Sequence, residues 1–324
     1  MYDMITIGGI KLDTFILIPK ATTYCQLKMP DCQLCIEYGK KHSVDDINLQ
    51  IAGSAPNMAV GLSRMKQKTA VYSIMGQDII FELAKEFLSK NGVDTEYIKA
   101  IKGRDSSFSA VLNYKGESTQ LVSQNDSEFR LPEKLASTEW IHVSELGEGY
   151  KKLYKDIVRF SKKNKCKISF NPGVLQIQEK QKELFDLLKY TDVLFINKIE
   201  AQILLDAKEE ETMQFMMGAL KKLGPKFVVI TDGKNGAFAY DGVQLDYVPM
   251  FPGKRVEATG AGDAFATGFL GALLHGKKHG EALRWGSVNA ASVVGKIGPT
   301  KGLLSHTEIQ KRLKARPSYK TKEL

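Results

Sequence analysis

Short apolar runs alternate with amphipathic patterns along most of this chain. Runs bounded by turn or charged residues, most of them rich in β-branched and aromatic side chains, are MITIGGI (4–10), AVYSIM (70–75), WIHVSEL (140–146), KISF (167–170), VLFIN (193–197) and FVVIT (227–231). Runs of this kind are typical of strands buried in a parallel sheet. Strand and helix patterns alternate from about residue 54 onward. This order predicts a mostly parallel sheet with helices on both faces.

One covering helix is clear from its spacing. In IIFELAKEFLSKNG (79–92), Ile80, Leu83 and Phe87 recur at helical intervals, and Gly92 stands where a C-terminal cap is expected. The pattern predicts a helix that ends just before Gly92.

Two stretches break the alternation. Residues 12–51 contain no convincing helix, and SSFSAVLNYKGESTQLVSQ (106–124) has the pattern of two strands around a turn at Lys115 and Gly116. Both predict strands of a small separate sheet, with lid segments at about 12–51 and 104–125. A sheet that stands away from the main domain can cover a pocket and exclude water during group transfer.

Length and charge set limits on the class of protein. A chain of 324 residues can form one large α/β domain, which we place at 1–305. The net charge of +9 is spread along the sequence, so binding to nucleic acid is possible but not indicated. The segment 306–324 carries six Lys/Arg and two Glu, which predicts a basic terminal helix with a frayed, solvated end.

The N-terminus and the cysteines suggest an intracellular protein. The start of the chain lacks a secretory pattern, and no window approaches the ~18 apolar residues of a spanning helix, so we expect a soluble cytoplasmic protein. Cys25, Cys32, Cys35 and Cys166 are expected to be reduced thiols. The spacing of the first three matches no zinc-finger pattern, and their role stays open.

The strongest chemical pattern is GAGDAFATGFLGALLHG (260–276). Phe265, Phe269 and Leu273 form an apolar helical stripe, so Asp263 falls near the first turn of a helix that follows two glycines. Uncovered backbone N–H groups and the helix dipole would bind an anion there, and a transferring phosphoryl group is the natural candidate. A carboxylate beside it can accept the proton of an alcohol. The alternative interpretation is an ordinary capping aspartate.

The same segment resembles a known family. EATGAGDAFATGFL (257–270) is similar to the C-terminal signature of the ribokinase/PfkB carbohydrate kinases. Further segments that resemble the family follow in its expected order: ITIGGIKLDTF (5–15), IAGSAPNMAVGLSRM (51–65), IMGQDIIFELAKEFLSKNGVDTEYI (74–98), FINKIEA (195–201), VVITDGKNGAFAY (228–240) and NAASVVGKIGP (289–299). The resemblance covers about residues 4–305. It implies a ribokinase-like three-layer α/β/α fold with a β-sheet lid.

The resemblance also implies an activity and a set of site residues. The activity is ATP-dependent phosphoryl transfer to a primary hydroxyl of a sugar or sugar-like molecule, with Asp263 as general base and Mg²⁺ bound through water at Glu200. The other residues are implied to hold the phosphoryl group (Gly260, Ala261, Gly262), the acceptor (Asp13, Gly53, Asn57) and the nucleotide and its magnesium (Asn197, Glu200, Thr231, Gly233, Gly236, Asn289).

Three segments depart from the family pattern. Ala52 precedes Gly53 where two glycines are usual, and Phe81 stands where Gly often occurs. Glu257 and Ala258 replace the usual Asp-Thr, whose aspartate helps to coordinate a monovalent cation in ribokinase-like members. Potassium dependence is therefore open.

Alternatives remain for the acceptor and for the class of protein. A nucleoside could be the acceptor if Phe15, Tyr24 and Tyr38 formed an aromatic stacking wall. A phosphorylated sugar would need basic groups, for which the candidates are Lys28, Lys40, Lys41 and Arg104. A non-enzymatic module that binds nucleic acid through segment 306–322 is a third hypothesis. The lid could also pair with a second copy to form a homodimer.

Overall fold

The structure is a computed structural model that describes residues 1–19, 21–24, 33–115, 117–124 and 127–324. The strands are β1 (Tyr2–Ile7), β2 (Lys11–Leu17), β3 (Thr22–Tyr24), β4 (Gln33–Cys35), β5 (Asp46–Ala52), β6 (Thr69–Gly76), β7 (Ile98–Ile101), β8 (Ser107–Tyr114), β9 (Glu117–Ser123), β10 (Thr138–Val143), β11 (Lys167–Phe170), β12 (Val193–Asn197), β13 (Phe227–Thr231), β14 (Ala237–Tyr240), β15 (Leu245–Val248) and β16 (Lys322–Glu323). The helices are α1 (Ser54–Arg64), α2 (Ile79–Lys90), α3 (Tyr150–Asn164), α4 (Val174–Glu179), α5 (Lys182–Leu188), α6 (Lys198–Leu205), α7 (Met213–Lys222), α8 (Ala261–Leu274), α9 (His279–Val294) and α10 (His306–Lys314).

A large sheet forms the centre of the molecule. Within the described residues its strand order is β16-β15-β14-β13-β12-β11-β10-β1-β6-β7. The strands from β13 to β7 pair in parallel, while β14, β15 and β16 add an antiparallel edge. All six apolar runs of the sequence lie in this sheet, which confirms the predicted fold class.

Side chains that alternate along β1 enter apolar clusters on opposite faces of the main sheet. Ile5 and Ile7 pack in one apolar cluster with side chains of α3, α5, α6 and α7. Met4 packs in the other, with side chains of α1, α8, α9 and α10. This alternation follows from the two-residue period of a strand and produces the helix, sheet and helix layers.

Helix α2 has the predicted position but a different buried row. It begins after Asp78, whose side chain accepts a hydrogen bond from Phe81 N at 3.1 Å, and it ends before Gly92, which has φ 72°. Ala84 and Leu88 are buried, whereas Leu83 is 41% exposed. The row formed by Ala84 and Leu88, which are four residues apart, therefore faces the core. Leu83 lies at the border of this row.

A second sheet stands beside the main one, with strand order β5-β2-β8-β9. Strands β8 and β9 are the two predicted around the 115–116 turn, although Gly116 lies outside the described residues. Strands β3 and β4 form a separate pair. Of the cysteine cluster, Cys35 is an exposed free thiol, while Cys25 and Cys32 lie outside the described residues.

The chain end differs from the frayed, solvated segment that the charge pattern suggested. Ile309 and Leu313 of α10 are buried, and Tyr319 donates a hydrogen bond to Pro249 O at 2.6 Å. Strand β16 then pairs with β15 at the edge of the main sheet. Apolar side chains spaced among the basic residues anchor this segment. In the described part of the chain, no helix combines the length and apolar character needed to cross a bilayer.

Candidate active site

Two cavities meet where the parallel strands end. The first, of about 300 Å³, is here called the polar chamber, and its wall includes Lys11, Asp13, Asn57, Glu145, Glu200 and Asp263. The second, of about 340 Å³, is the apolar chamber, and its wall includes Met250, Phe251, Phe265, Ala290, Ala291 and Val294. Thr231, Ala258, Ala261 and Gly262 belong to both walls. The shared wall is therefore the N-terminus of α8 with its preceding turn and the end of β13.

The turn before α8 requires glycine at its cap. Gly260 has φ 77°, and a Cβ there would lie 2.5 Å from Pro299 Cβ. Ala264 N donates to Gly260 O at 2.9 Å. The amides of Gly262 and Asp263 come before that bond, so they have no carbonyl four residues back within the helix. These donors at the positive end of a 14-residue helix form an anion site.

Asp263 lies in the first turn of α8, half-buried, with its side chain in the polar chamber. Its Oδ2 accepts a hydrogen bond from Asn57 Nδ2 at 2.8 Å. Burial raises the pKa of the Asp263 carboxyl above the usual range of an aspartate, while hydrogen bonds from Asn57 and Ser54 act in the opposite direction. A carboxylate of raised pKa is a stronger proton acceptor once ionised, which is what a general base needs.

Asn57 is held deep in α1, with 3% of its surface exposed. Its Oδ1 is buried and, among the described residues, has no hydrogen-bond partner. Because Nδ2 is occupied by Asp263, this oxygen is available to a ligand donor.

Asp13 lies in β2 on the lid face that covers the polar chamber, and it is 1% exposed. Neither carboxylate oxygen has a hydrogen-bond partner among the described residues. Lys11 Nζ lies 3.9 Å from Oδ1. Burial raises the pKa of Asp13 to about 6, while the charge of Lys11 and the hydroxyl of Ser109 act in the opposite direction. A buried carboxylate whose oxygens lack hydrogen-bond partners is suited to accept hydrogen bonds from the hydroxyl groups of a ligand.

Gly53 connects β5 to α1 and lines the polar chamber. Its φ is 121°, and a Cβ would stand 2.3 Å from Gly9 O, so no other residue fits without a backbone shift. Ala52, which replaces the first glycine of the family pattern, is 1% exposed.

Asn197 and Glu200 form the N-terminal cap of α6. Asn197 Oδ1 accepts from Glu200 N, and Glu200 Oε2 accepts from Asn197 N, each at 2.9 Å. Both residues line the polar chamber. Burial raises the pKa of Glu200, and the charges of Glu145 and Asp263 act in the same direction. A carboxylate in this position suits magnesium, which proteins commonly bind through one or two carboxylates together with substrate phosphates.

The apolar chamber contains the predicted nucleotide residues of β13 and its turn. Thr231, Gly233 and Gly236 all line it. Gly236 has φ 94°, and a Cβ there would lie 2.2 Å from Val248 O. Phe251, Phe265 and Ala291 also line this chamber, and an apolar wall of this kind suits a planar ring such as a nucleobase.

Asn289 is a correction. This residue of α9 is fully buried and is not part of either chamber wall. Its Nδ2 donates to Ala264 O at 2.7 Å, and its Oδ1 accepts from Leu304 N at 2.9 Å. Its amide thus joins α8 to the chain that follows α9. Other residues of the same helix supply the wall of the apolar chamber, namely Ser287, Ala290, Ala291 and Val294.

Glu257, the departure from the Asp-Thr pattern, bridges three parts of the molecule. Its Oε1 accepts from Thr259 N at 2.6 Å and from Ser118 Oγ of β9 at 3.3 Å, and its Oε2 accepts from Gly298 N at 3.4 Å. The buried carboxylate therefore connects the lid to the turn before α8.

Sequence reasoning missed several wall residues of the polar chamber. Glu145 follows β10 and Asn171 follows β11, as Asn197 ends β12. Polar residues at the carboxyl ends of parallel strands are the signal that could have identified them, because ligands of open α/β sheets bind there. Lys11 and Gln120 come from the lid strands β2 and β9.

Other residues proposed for the acceptor lie elsewhere. Tyr38 is fully exposed, and Phe15 is buried within the lid; neither is in the chamber wall. Lys40, Lys41 and Arg104 are also outside the wall, and Lys28 lies outside the described residues. The side chain of Tyr24 is likewise outside the described part of the structure. The described residues therefore provide no aromatic wall from segment 14–51.

Sequence comparison matches this chain to known kinases. The family described as pfkB family carbohydrate kinase matches residues 21–306. A ribokinase from Haemophilus influenzae is 26% identical over 271 residues, which cover 81% of this chain and 87% of that protein. A 5-dehydro-2-deoxygluconokinase from Clostridium perfringens is 27% identical, with coverage of 77% and 79%. A cytidine kinase from Thermococcus kodakarensis is 26% identical, with coverage of 92% and 98%.

Structural comparison agrees at the level of the fold. The chain is similar to Arabidopsis thaliana ribokinase complexed with ribose and ATP, with a TM-score of 0.78, 20% identity, and coverage of 97% of this chain and 99% of that one. It is also similar to the Methanocaldococcus jannaschii nucleoside kinase, with a TM-score of 0.76, 20% identity, and coverage of 97% and 99%.

Proposed function

The chain belongs to the PfkB family of carbohydrate kinases, and from this premise we propose that it transfers the γ-phosphoryl group of ATP to a primary hydroxyl of a sugar, with Asp263 as the general base. The shared wall of the two chambers supports this proposal most directly. A nucleotide in the apolar chamber would extend its phosphates past Gly262 toward the polar chamber, where Asp263 and Asp13 bind the acceptor.

Each residue then has a separate role in the transfer. Asp263 accepts the hydroxyl proton as the new oxygen–phosphorus bond forms, and the bond to the β-phosphate oxygen breaks to release ADP. The amides at the start of α8 hold the phosphoryl oxygens, and Asn57 orients the base. Glu200 and Asn197 would bind magnesium through water, and this ion supplies charge neutralisation on the phosphates when bound.

A nucleoside acceptor is the second candidate. The cytidine kinase relative supports it, because its similarity extends over 98% of that protein. We rank a nucleoside below a sugar as the acceptor, because the described part of segment 14–51 provides no aromatic wall.

A screen for ADP release distinguishes a sugar acceptor from a nucleoside acceptor. The wild-type enzyme is incubated with MgATP and ribose, fructose, inositol, adenosine or cytidine. We expect acceptor-dependent ADP with at least one sugar. ADP release with nucleosides alone would favour the second candidate, and none with any acceptor would contradict the proposal.

We also propose a homodimer formed through the outer face of the lid. Ile47 and Leu49 of β5 and Leu121 of β9 lie on that face by their register with β2 and β8, and they are 56%, 62% and 60% exposed. Apolar side chains in such a row are typical of a protein contact. Sedimentation velocity should show a dimer that Leu49→Glu with Leu121→Glu dissociates; a wild-type monomer at micromolar concentration would contradict the proposal.

A further inference from the structure

Charge is divided unequally between the two chambers. The described wall of the apolar chamber carries Lys234, Lys254 and Arg255 and contains no carboxylate. Among the described residues, the wall of the polar chamber carries four carboxylates, those of Asp13, Glu145, Glu200 and Asp263, against one cation, Lys11. Like charges brought together across a binding site weaken binding. The apolar chamber therefore favours phosphates, whereas the carboxylates of the polar chamber disfavour any phosphate that the amides at the start of α8 do not hold.

The buried polar atoms of the polar chamber that lack hydrogen-bond partners also favour an acceptor without a phosphate group. Both oxygens of Asp13 and Oδ1 of Asn57 are buried without hydrogen-bond partners among the described residues, although Lys11 Nζ lies 3.9 Å from Asp13 Oδ1. All three are hydrogen-bond acceptors, so the ligand must supply donors. Sugar hydroxyls donate, whereas a phosphate that is doubly ionised near neutral pH cannot.

Glu145 occupies a particular place in this arrangement. It follows β10, is exposed, and lines both the polar chamber and a smaller neighbouring cavity of about 40 Å³, into which Lys11 and Gly53 also extend. Burial is the main cause of the raised pKa values of Asp13, Glu200 and Asp263, and the charge of Glu145 acts in the same direction on each.

We propose that the polar chamber selects uncharged polyhydroxy acceptors and rejects acceptors that already carry a phosphate, with Glu145 as a specificity-determining residue. This inference rests on the proposed function, because it concerns the acceptor of that reaction. The magnesium that accompanies ATP does not cancel the repulsion, because the nucleotide triphosphate itself brings more negative charge than the ion neutralises.

The test compares matched pairs of acceptors, each with a free primary hydroxyl: fructose with fructose 1-phosphate and fructose 6-phosphate, and ribose with ribose 1-phosphate. ADP release gives kcat/KM, and isothermal titration gives affinity without turnover. We expect the uncharged member to be preferred by about 100-fold or more, and the preference to fall as salt is added. A phosphorylated acceptor that binds or reacts as well as its uncharged partner would overturn the inference.

Glu145→Gln tests the residue itself. It should raise the relative kcat/KM of the phosphorylated acceptors by about 10-fold, since one opposing charge is removed. The matched control is Glu148→Gln, because Glu148 is exposed and lies outside both chamber walls. Equal changes in both variants would show that Glu145 does not determine the specificity for the acceptor.

The outcomes also separate this inference from the proposed function. If uncharged acceptors bind preferentially but no acceptor stimulates ADP release, the proposed function is wrong, while the inferred selection of uncharged acceptors is correct. If the enzyme phosphorylates a sugar phosphate as its best acceptor, the function stands and the selection is wrong. If no uncharged acceptor binds, the selection is also wrong.

Discussion

The two chambers that meet at α8 are built in different ways. The apolar chamber comes from one continuous part of the chain, between Thr231 and Val294, and apolar side chains such as Met250, Phe251 and Phe265 form much of its wall. The polar chamber collects charged and amide side chains from the lid, from α1 and from four strand ends. Nucleotide affinity and acceptor chemistry can therefore be changed separately, because the two chambers share only the start of α8, the turn before it and the end of β13.

The largest difference between the effect on turnover and the effect on ATP affinity is expected from Asp263→Asn. Loss of the base should lower kcat by about 10²- to 10⁴-fold, while the affinity for ATP changes little, because the apolar chamber is untouched. Steady-state ADP release and equilibrium nucleotide binding measure the two effects. The control is Asp186→Asn, at an exposed residue of α5 that pairs with Lys189. Normal turnover in Asp263→Asn would contradict the assigned role.

Asp13→Asn should affect the acceptor side alone. Replacing a buried carboxylate that receives ligand hydroxyls should lower kcat/KM for the acceptor by about 10²- to 10³-fold and leave KM for ATP unchanged. In the wild-type enzyme, kcat/KM for the acceptor should also decline as the pH falls below about 6, where Asp13 takes up its proton. An equal loss on the nucleotide side would show that the chambers are coupled. Asp45→Asn, at an exposed lid residue, is the control.

Although Asp13→Asn should lower activity, we expect it to increase the stability of the folded protein. Folding raises the pKa of Asp13 from 3.8 to about 6, so the native state favours the protonated form. That contribution is complete below pH 3.8 and is lost as the pH rises through 6, so ionised Asp13 destabilises the fold at neutral pH. Asp13→Asn should therefore raise Tm by a few degrees at pH 7.5 and by less at pH 5. A lowered Tm at pH 7.5 would mean that Asp13 is stabilised by partners.

Ala291→Phe should affect the nucleotide side alone. A phenyl group in the wall of the apolar chamber would fill the space of the base and raise KM for ATP by about 10- to 100-fold, with acceptor affinity unchanged. Titration of each ligand separately measures this. Ala291→Ser, which nearly keeps the size of the side chain, should bind ATP almost normally. Equal ATP affinity in the two variants would contradict the prediction that residue 291 borders the space of the base.

The smallest effect is expected at the contact between the lid and Glu257. Ser118→Ala removes the hydroxyl that reaches Glu257 Oε1 and should lower kcat/KM for the acceptor by about 3- to 10-fold, since a hydrogen bond contributes about 1 kcal/mol. Thr119→Ala, on the opposite face of β9 and exposed, should have no effect. Equal losses in the two variants would indicate general damage to the lid.

The sequence allowed the large sheet, α2, the β8–β9 pair and the position of Asp263 to be predicted, because each depends on local periodicity or on one contiguous motif. Glu145 and Lys11 were not found, since they reach the polar chamber only through the pairing of distant strands. Asn289 was assigned to the nucleotide although its position on α9 turns it toward Ala264. The basic end of the chain was expected in solvent, but a few apolar residues, Tyr319 among them, hold it against the domain.

In the proposed reaction, Asp263 stands between an acceptor hydroxyl and the terminal phosphate of a nucleotide that enters from the apolar chamber. This arrangement can be tested by a crystal structure of Asp263→Asn with an uncharged acceptor and a non-hydrolysable ATP analogue. We expect the base in the apolar chamber, and residue 263 within about 3 Å of a primary hydroxyl that is aligned with the γ-phosphorus. A hydroxyl beyond hydrogen-bond reach of residue 263, or a γ-phosphate held away from the start of α8, would contradict it.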